Sequence, residues 1–145
     1  MSRPANSDSA AVSRANLAFY RAFERLDVAQ MDSVWAHSAN VQCTHPGWPR
    51  LAGYSAIMTS WERIFENTFA MSFELTGVEV SVMGDLAWVV CTENLTSRTY
   101  DGVSRSRIEA TNVFERHEGR WLLVHHHGSP VVSGPAAVEP TPHLQ

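Results

Sequence analysis

Imidazoles are the groups in this sequence best suited to moving protons near neutral pH, and they concentrate at two places. One is His45, which opens the segment HPGWP directly after the short apolar run VQCT. An imidazole there can take or return a proton near neutral pH, with Trp48 close by in the same segment. The competing role for His45 is structural, a hydrogen bond to the backbone of its own loop. The other place is WLLVHHHGSP, where His125, His126 and His127 follow one another. In a β-strand such a triplet cannot act as one cluster, because neighbouring side chains point to opposite faces. His126 goes to one face, and His125 and His127 go to the other. The latter pair has a spacing that suits zinc, but only Glu109 offers itself as a third ligand. No metal is therefore expected, and a subunit interface is the preferred setting for the pair.

No serine or cysteine sits in a recognisable nucleophile motif, and there is no phosphate-cradling loop or dinucleotide fingerprint. No cofactor is expected. Cys43 and Cys91 lie in separate apolar runs without a CxxC spacing, and they read as buried free thiols. The net charge of −4 gives no reason to expect nucleic acid or an anionic membrane as partner. The opening MSRPANSDSA lacks a signal peptide's apolar segment, and no run approaches the length of a membrane span. The cytoplasm is the expected compartment.

One domain must position these residues, since 145 residues suit a single hydrophobic core. Residues 1–12 are small and polar and read as a flexible arm. From Ala15 apolar residues recur at helical spacing through Phe19 and Phe23 to Leu26. Asp27 with Gln30 resembles a capping box that opens a second short helix carrying Met31, Val34 and Trp35. Past the irregular HPGWPRLAG comes a third helix, with Ile57, Trp61, Ile64, Phe65 and Thr68 on one face. After Asn67 the period changes to two, with turns at Gly84-Asp85, Asp101-Gly102 and Glu118-Gly119. The domain spans 13–130, and the Pro-rich tail 131–145 is expected to leave the sheet. Helices followed by an antiparallel meander describe an α+β fold, with a curved sheet wrapped on three N-terminal helices and a hollow between them.

Which side chains face the hollow depends on hairpin register. If Gly102 and Gly119 each form a bulge after a type I turn, Trp88, Val90, Asn94, Asn112, Val124 and His126 share the inward face. Trp121, Leu123, His125 and His127 then share the outward one. A two-residue turn is the competing geometry, and it shifts each pairing by one. On the bulged register, Asn94, Asn112 and His126 are polar groups on an apolar face. They either bond one another or recognise a ligand, because leaving each unpaired would cost about 1–3 kcal/mol. Trp61 and Trp88 are either ligand walls or ordinary core.

The stretches GDLAWVVCTENLTS and IEATNVFERHEGRWLLVHHHGSP resemble the SnoaL-like, ketosteroid-isomerase-like branch of the nuclear-transport-factor-2-like superfamily. With WERIFENTF before them, they also resemble the association domain of calcium/calmodulin-dependent kinase II. The resemblance implies a cystatin-like cone with an internal cavity, and dimerisation through the outer sheet face. In the association domain, pocket residues occupy the positions of Trp61, Asn94 and Asn112. The strand positions carry arginine there and asparagine here, so acid binding does not carry over. In ketosteroid isomerase the catalytic aspartate precedes a proline where His45-Pro46 stands here. That enzyme's enolate-stabilising donor pair has no clear counterpart, so the steroid reaction does not carry over either.

The expectation is a small-molecule-binding domain for an apolar or aromatic ligand. It would act as a cofactor-independent isomerase, cyclase or hydratase, with His45, Asn112 and His126 catalytic and Trp48, Trp61, Trp88, Asn94, Asn112 and His126 lining the site. The alternative is a non-catalytic ligand-binding or oligomerisation module. In either case a homodimer is expected, through Trp121, Leu123, His125 and His127.

Overall fold

The structure, a computed structural model, describes residues 5–132. The chain runs α1 (Ala5–Glu24), α2 (Val28–Val34), β1 (Gln42–Thr44), β2 (Leu51–Ala52) and α3 (Tyr54–Glu66). The meander follows as β3 (Ala70–Met83), β4 (Leu86–Thr99), β5 (Gly102–His117) and β6 (Arg120–Pro130). One sheet holds all six strands in the order β2-β1-β6-β5-β4-β3, antiparallel except where β1 lies parallel to β6. It curves over the three helices without closing, which is the α+β architecture expected. No helix among the described residues is long and apolar enough to cross a membrane.

Each helix forms where its apolar face can be buried. α1 turns Val12, Phe19, Ala22 and Phe23 into the core, and α3 contributes Ile57, Met58, Trp61 and Phe65. Asp27 caps α2, its carboxylate accepting from the Gln30 amide at 3.0 Å. The expected flexible arm is corrected here: residues 5–12 are already helical, and residues 1–4 lie outside the described range. Two anchors account for the earlier start. Val12 is fully buried, and Asp8 in the first turn pairs with Arg116 of β5 at 3.0 Å. At the other end β6 continues to Pro130 by pairing Gly128 with Ala110 and Pro130 with Ile108. The tail beyond 132 lies outside the described residues.

The register also needs correcting. Thr99 pairs directly with Gly102, and His117 with Arg120, so each hairpin closes through two residues and neither glycine absorbs an extra one. At the last turn Glu118 and Gly119 have φ of 50° and 81°, the backbone of a type I′ turn. β4 is therefore shifted by one against the bulged register. Ala87, Val89, Cys91 and Glu93 face inward, whereas Trp88, Val90 and Asn94 face outward. The extra residue sits further along, at Val124, where the β5–β6 pairing steps from Phe114–Leu123 to Val113–His125. That bulge puts Trp121, Leu123 and His126 all on the inner face. Trp121 and Leu123 belong to the core, not to the outer surface expected of them. Of the expected interface residues only His125 and His127 face outward.

One contact ties β6 to the His45 segment. A Cβ on Gly128 would lie 3.0 Å from Pro46 Cγ and 3.1 Å from Ile108 Cγ2. Gly128→Ala should thus push Pro46 away and destabilise the fold by about 1–3 kcal/mol. Urea denaturation measures this, and an unchanged midpoint would mean that the loop yields freely.

Candidate functional site

His45 follows β1 and is carried inward by the same strand parity that buries Cys43. Its Nε2 lies 2.8 Å from Ser60 Oγ on α3, and that hydroxyl donates to the Ile57 carbonyl at 2.6 Å. A hydroxyl has one proton, so Ser60 must accept from His45, which fixes the Nε2–H tautomer. Nδ1 is left with its lone pair, and its nearest partner is the Cys43 sulfur at 3.8 Å. Trp48 stands edge-to-face on the ring at 4.8 Å between centroids, and Trp61 does so at 4.6 Å. Burial pushes the His45 pKa down from 6.5 to about 4, so the ring is a neutral acceptor throughout the physiological range.

The second imidazole, His126, lies 6.5 Å from His45 and 6.4 Å from Trp61, ring centre to ring centre. Its Nδ1 donates to Asn112 Oδ1 at 2.5 Å. The Asn112 amide donates in turn to Asn16 Oδ1 at 2.9 Å and to the Tyr20 hydroxyl at 3.2 Å. Tyr20 donates to Glu93 Oε2 at 2.5 Å. Five buried polar residues from α1, β4, β5 and β6 thus form one chain. Burial, then the neighbouring His45, His125 and His127, push His126 down to about 3. Burial pushes Glu93 up to about 7, partly offset by the Tyr20 hydrogen bond. The Tyr20 hydroxyl is pushed far above its usual range by burial and by Glu93.

Of the residues expected at the site, His45, Trp48, Trp61, Asn112 and His126 converge, and Trp88 and Asn94 do not. Trp88 lies on the outer face opposite Val113. Asn94 is also outward, donating to the Glu74 carbonyl and Thr76 Oγ1 at the edge of an open 780 Å³ groove lined further by Arg105 and Arg107. Both were misplaced by the one-residue register error. Glu93, Tyr20, Asn16 and Ser60 were missed. Glu93 neighbours Asn94 on β4, so a register that turns Asn94 inward turns Glu93 outward, and nothing in helical spacing distinguishes Tyr20 or Asn16 as polar partners. No group of three or more metal-ligating side chains occurs among the described residues, His125 and His127 included.

The space around the two imidazoles is filled by rings, with Phe19 at 5.0 Å from His126 and Phe23 at 4.6 Å from Trp61. On the far side of Ser60, a cavity of about 340 Å³ is lined by Trp48, Leu51, Ser55, Ala56, Thr59, Ser60 and Arg63. Two of these residues, Trp48 and Ser60, also touch His45. Trp61 Nε1 is buried without a hydrogen-bond partner, as are Trp35 Nε1 and Trp121 Nε1. What this arrangement can do chemically is accept a proton on neutral imidazole in a water-poor apolar setting.

The buried acid and the buried bases pull stability in opposite directions with pH. Glu93 binds its proton more tightly when folded, so its contribution is complete below 4.5 and is lost as pH rises through about 7. The imidazoles resist protonation when folded, so theirs is complete above 6.5 and is lost as pH falls through about 4 for His45 and about 3 for His126. Glu93→Gln removes the first effect alone. Relative to the parent, its unfolding free energy should gain about 3 kcal/mol between pH 4.5 and neutrality. Denaturant titrations across that range measure it, and a constant difference would mean an ordinary carboxyl.

Comparison with known proteins gives a consistent picture. Residues 12–133 match the SnoaL-like domain family. A candidate dehydratase of the nuclear-transport-factor-2-like family from Streptomyces avermitilis is 40% identical, over 90% of this chain and 100% of that one, with a TM-score of 0.85. A candidate calcium/calmodulin-dependent kinase II association domain from Thiobacillus denitrificans is 31% identical, over 81% of this chain and 93% of that one, with a TM-score of 0.73. A ketosteroid isomerase-like protein from Erwinia carotovora atroseptica shares the fold at 20% identity, over 88% of this chain and 99% of that one, with a TM-score of 0.75. The F-box protein SKIP8 of Arabidopsis thaliana is 31% identical over 82% of this chain, which spans about half (49%) of that relative's length. With its fold, its polar core and a family match over nearly all the described residues, the chain belongs to the SnoaL-like domain family.

Proposed function

We propose that this domain catalyses a cofactor-independent proton transfer, of the isomerase, cyclase or hydratase–dehydratase kind, on a small apolar or aromatic molecule. One observation carries the reading: His45 is held by Ser60 through Nε2, with its Nδ1 lone pair in an apolar ring cage beside a second neutral imidazole. The substrate enters from the pocket walled by Trp48 and Ser60, whose 340 Å³ suits a small ligand, and the rings packed about the imidazoles must part for it to reach Nδ1. His45 Nδ1 takes a proton from carbon, and the same group returns it to another substrate atom, so no redox partner is called for. Trp61 Nε1–H and His126 Nε2 offer one donor and one acceptor for a substrate hydroxyl. The 40% identical relative named as a candidate dehydratase supports this class of chemistry.

A second reading, a non-catalytic binding or assembly module, draws on the 31% identity to an association domain and on the outer sheet face. That face carries half-buried Trp88, Val90, Val113 and His125, with His127 beside them, and it would serve a homodimer. Two copies joined there leave the His45 site untouched, so the two readings are compatible in one molecule.

A thermal-shift screen of small aromatic and polycyclic hydroxy compounds identifies a ligand, and turnover of the hits is then followed by mass spectrometry. His45→Gln should keep binding within a few-fold and lower kcat by about 10²–10⁴-fold. The acid limb of kcat/KM should fall near His45's pKa of about 4, well below an ordinary imidazole's 6.5. Binding without turnover in the parent protein would favour the module instead.

A further inference from the structure

The polar chain from Glu93 to His126 has a direction, and only one of its members can set it. An ionised carboxylate has no proton to donate, so across the 2.5 Å contact Tyr20 must donate to an ionised Glu93. A phenol has a single proton, so toward Asn112 the Tyr20 oxygen can then only accept. Asn112 must therefore present its NH₂ to Tyr20 and its carbonyl oxygen to His126. His126 must in consequence carry its proton on Nδ1, leaving Nε2 as a bare acceptor that makes no hydrogen bond among the described residues. Asn16 does not set the direction, because an amide offers either atom by turning over. The observed arrangement is the one that an ionised Glu93 dictates.

From this geometry we infer that Glu93 is a positioning residue, setting through Tyr20 and Asn112 whether His126 offers Nε2 to a ligand as acceptor or as donor. A proton on Glu93 lifts the constraint. The carboxylic acid can donate to Tyr20, whose own proton then turns to Asn112. The Asn112 amide turns over, its NH₂ donates to His126 Nδ1, and the ring proton resides on Nε2. No bond to carbon changes and no charge enters the ring. The exchange needs the Asn112 and Asn16 amides to turn over together, the Tyr20 hydroxyl to rotate, and one imidazole proton to shift between its two nitrogens.

The groups facing Glu93 do not interfere. They are Tyr20 from α1, Cys91 on its own strand and Cys43 from β1, with uncharged Leu75 and Ile108 opposite it on β3 and β5. Burial pushes Tyr20 and Cys43 far above their usual ranges and Cys91 to about 11, so all three are uncharged where Glu93 titrates. His45 and His126 are already neutral there. The inference goes beyond the proposed reaction and does not require it, because ring polarity can be read without a substrate.

Nitrogen NMR of the imidazole rings tests it, with His126 assigned by the signals lost in His126→Gln. In the parent protein the two ring nitrogens of His126 should exchange character with a midpoint near 7, while the ring stays neutral. Nε2 should be unprotonated above the midpoint and increasingly protonated below it. Glu93→Gln should abolish this dependence, because an amide does not titrate. Tyr20→Phe should abolish it with Glu93 still in place, which covers the case of an unfolded Glu93 variant. A pH-independent tautomer in the parent protein overturns the inference, and so does a transition that persists in either variant.

Discussion

A single bulged residue, Val124, decides what this sheet can hold. Leu123 and His126 are three positions apart, so an unbroken strand would send them to opposite faces. The bulge between Val113 and Phe114 on the partner strand returns both to the inner face. β6 can then do two jobs along its length. Near the last turn it places Trp121 and Leu123 in the apolar core, where the Leu123 carbonyl also accepts from the Ala36 amide just after α2. Further on it presents His126 to the polar chain. β1 follows β6 in parallel with Cys43 opposite His126, so two residues later His45 enters the same interior. The spacing of the two imidazoles is thus a consequence of one extra residue in one strand.

The architecture was legible in the sequence, while the lining of the site was legible only in part. Helix faces could be read because Phe19, Phe23, Trp61 and Phe65 repeat at a spacing with no other good explanation, and the Asp27 cap has a recognisable partner in Gln30. β4 resisted because both of its parities are apolar. Ala87, Val89 and Cys91 alternate with Trp88 and Val90, so pattern alone cannot say which set is inside. Turn chemistry had to arbitrate, and a glycine at the end of a turn suits two geometries of similar energy. The wrong choice moved Glu93 outside and Asn94 inside. His126 and Asn112 were still placed together, because a bulge was allowed for on β6, although at Gly119 rather than Val124. Ser60 and Tyr20 could not be read at all, since their roles come from contacts with residues 15 and 73 positions away.

The electrostatics of the interior follow from its dryness. Two imidazoles, a carboxyl and a phenol share a volume walled by aromatic rings, and burial is the largest cause of each shifted pKa there. Each group is pushed toward its neutral form: the acids upward, the bases downward. The consequence for chemistry is two-sided. Neutral imidazoles are free to accept a proton at any physiological pH, but the imidazolium formed would be poorly solvated. A reaction here must therefore return the proton within the same encounter. Isomerisation and elimination of water both do so, whereas a reaction that leaves a lasting charge on His45 does not fit.

Stability alone gives no reason to build such a core. An apolar side chain of matching shape at 93, 112 or 126 would fill the same space without the cost of desolvating a polar group, and replacements of buried polar clusters by hydrophobes are often neutral or stabilising. The position of the leftover valences is more informative than their number. Trp35 and Trp121 also bury an indole N–H without a partner, so an orphan donor by itself says little. At Trp61 the orphan donor lies in a ring that touches His45 and neighbours His126, and both of those rings keep a lone pair that no strong donor satisfies. One donor and two acceptors, each worth about 1–3 kcal/mol if left unmet, thus belong to three neighbouring rings of one apolar cage. A closed core gains nothing from leaving three such valences in adjoining rings.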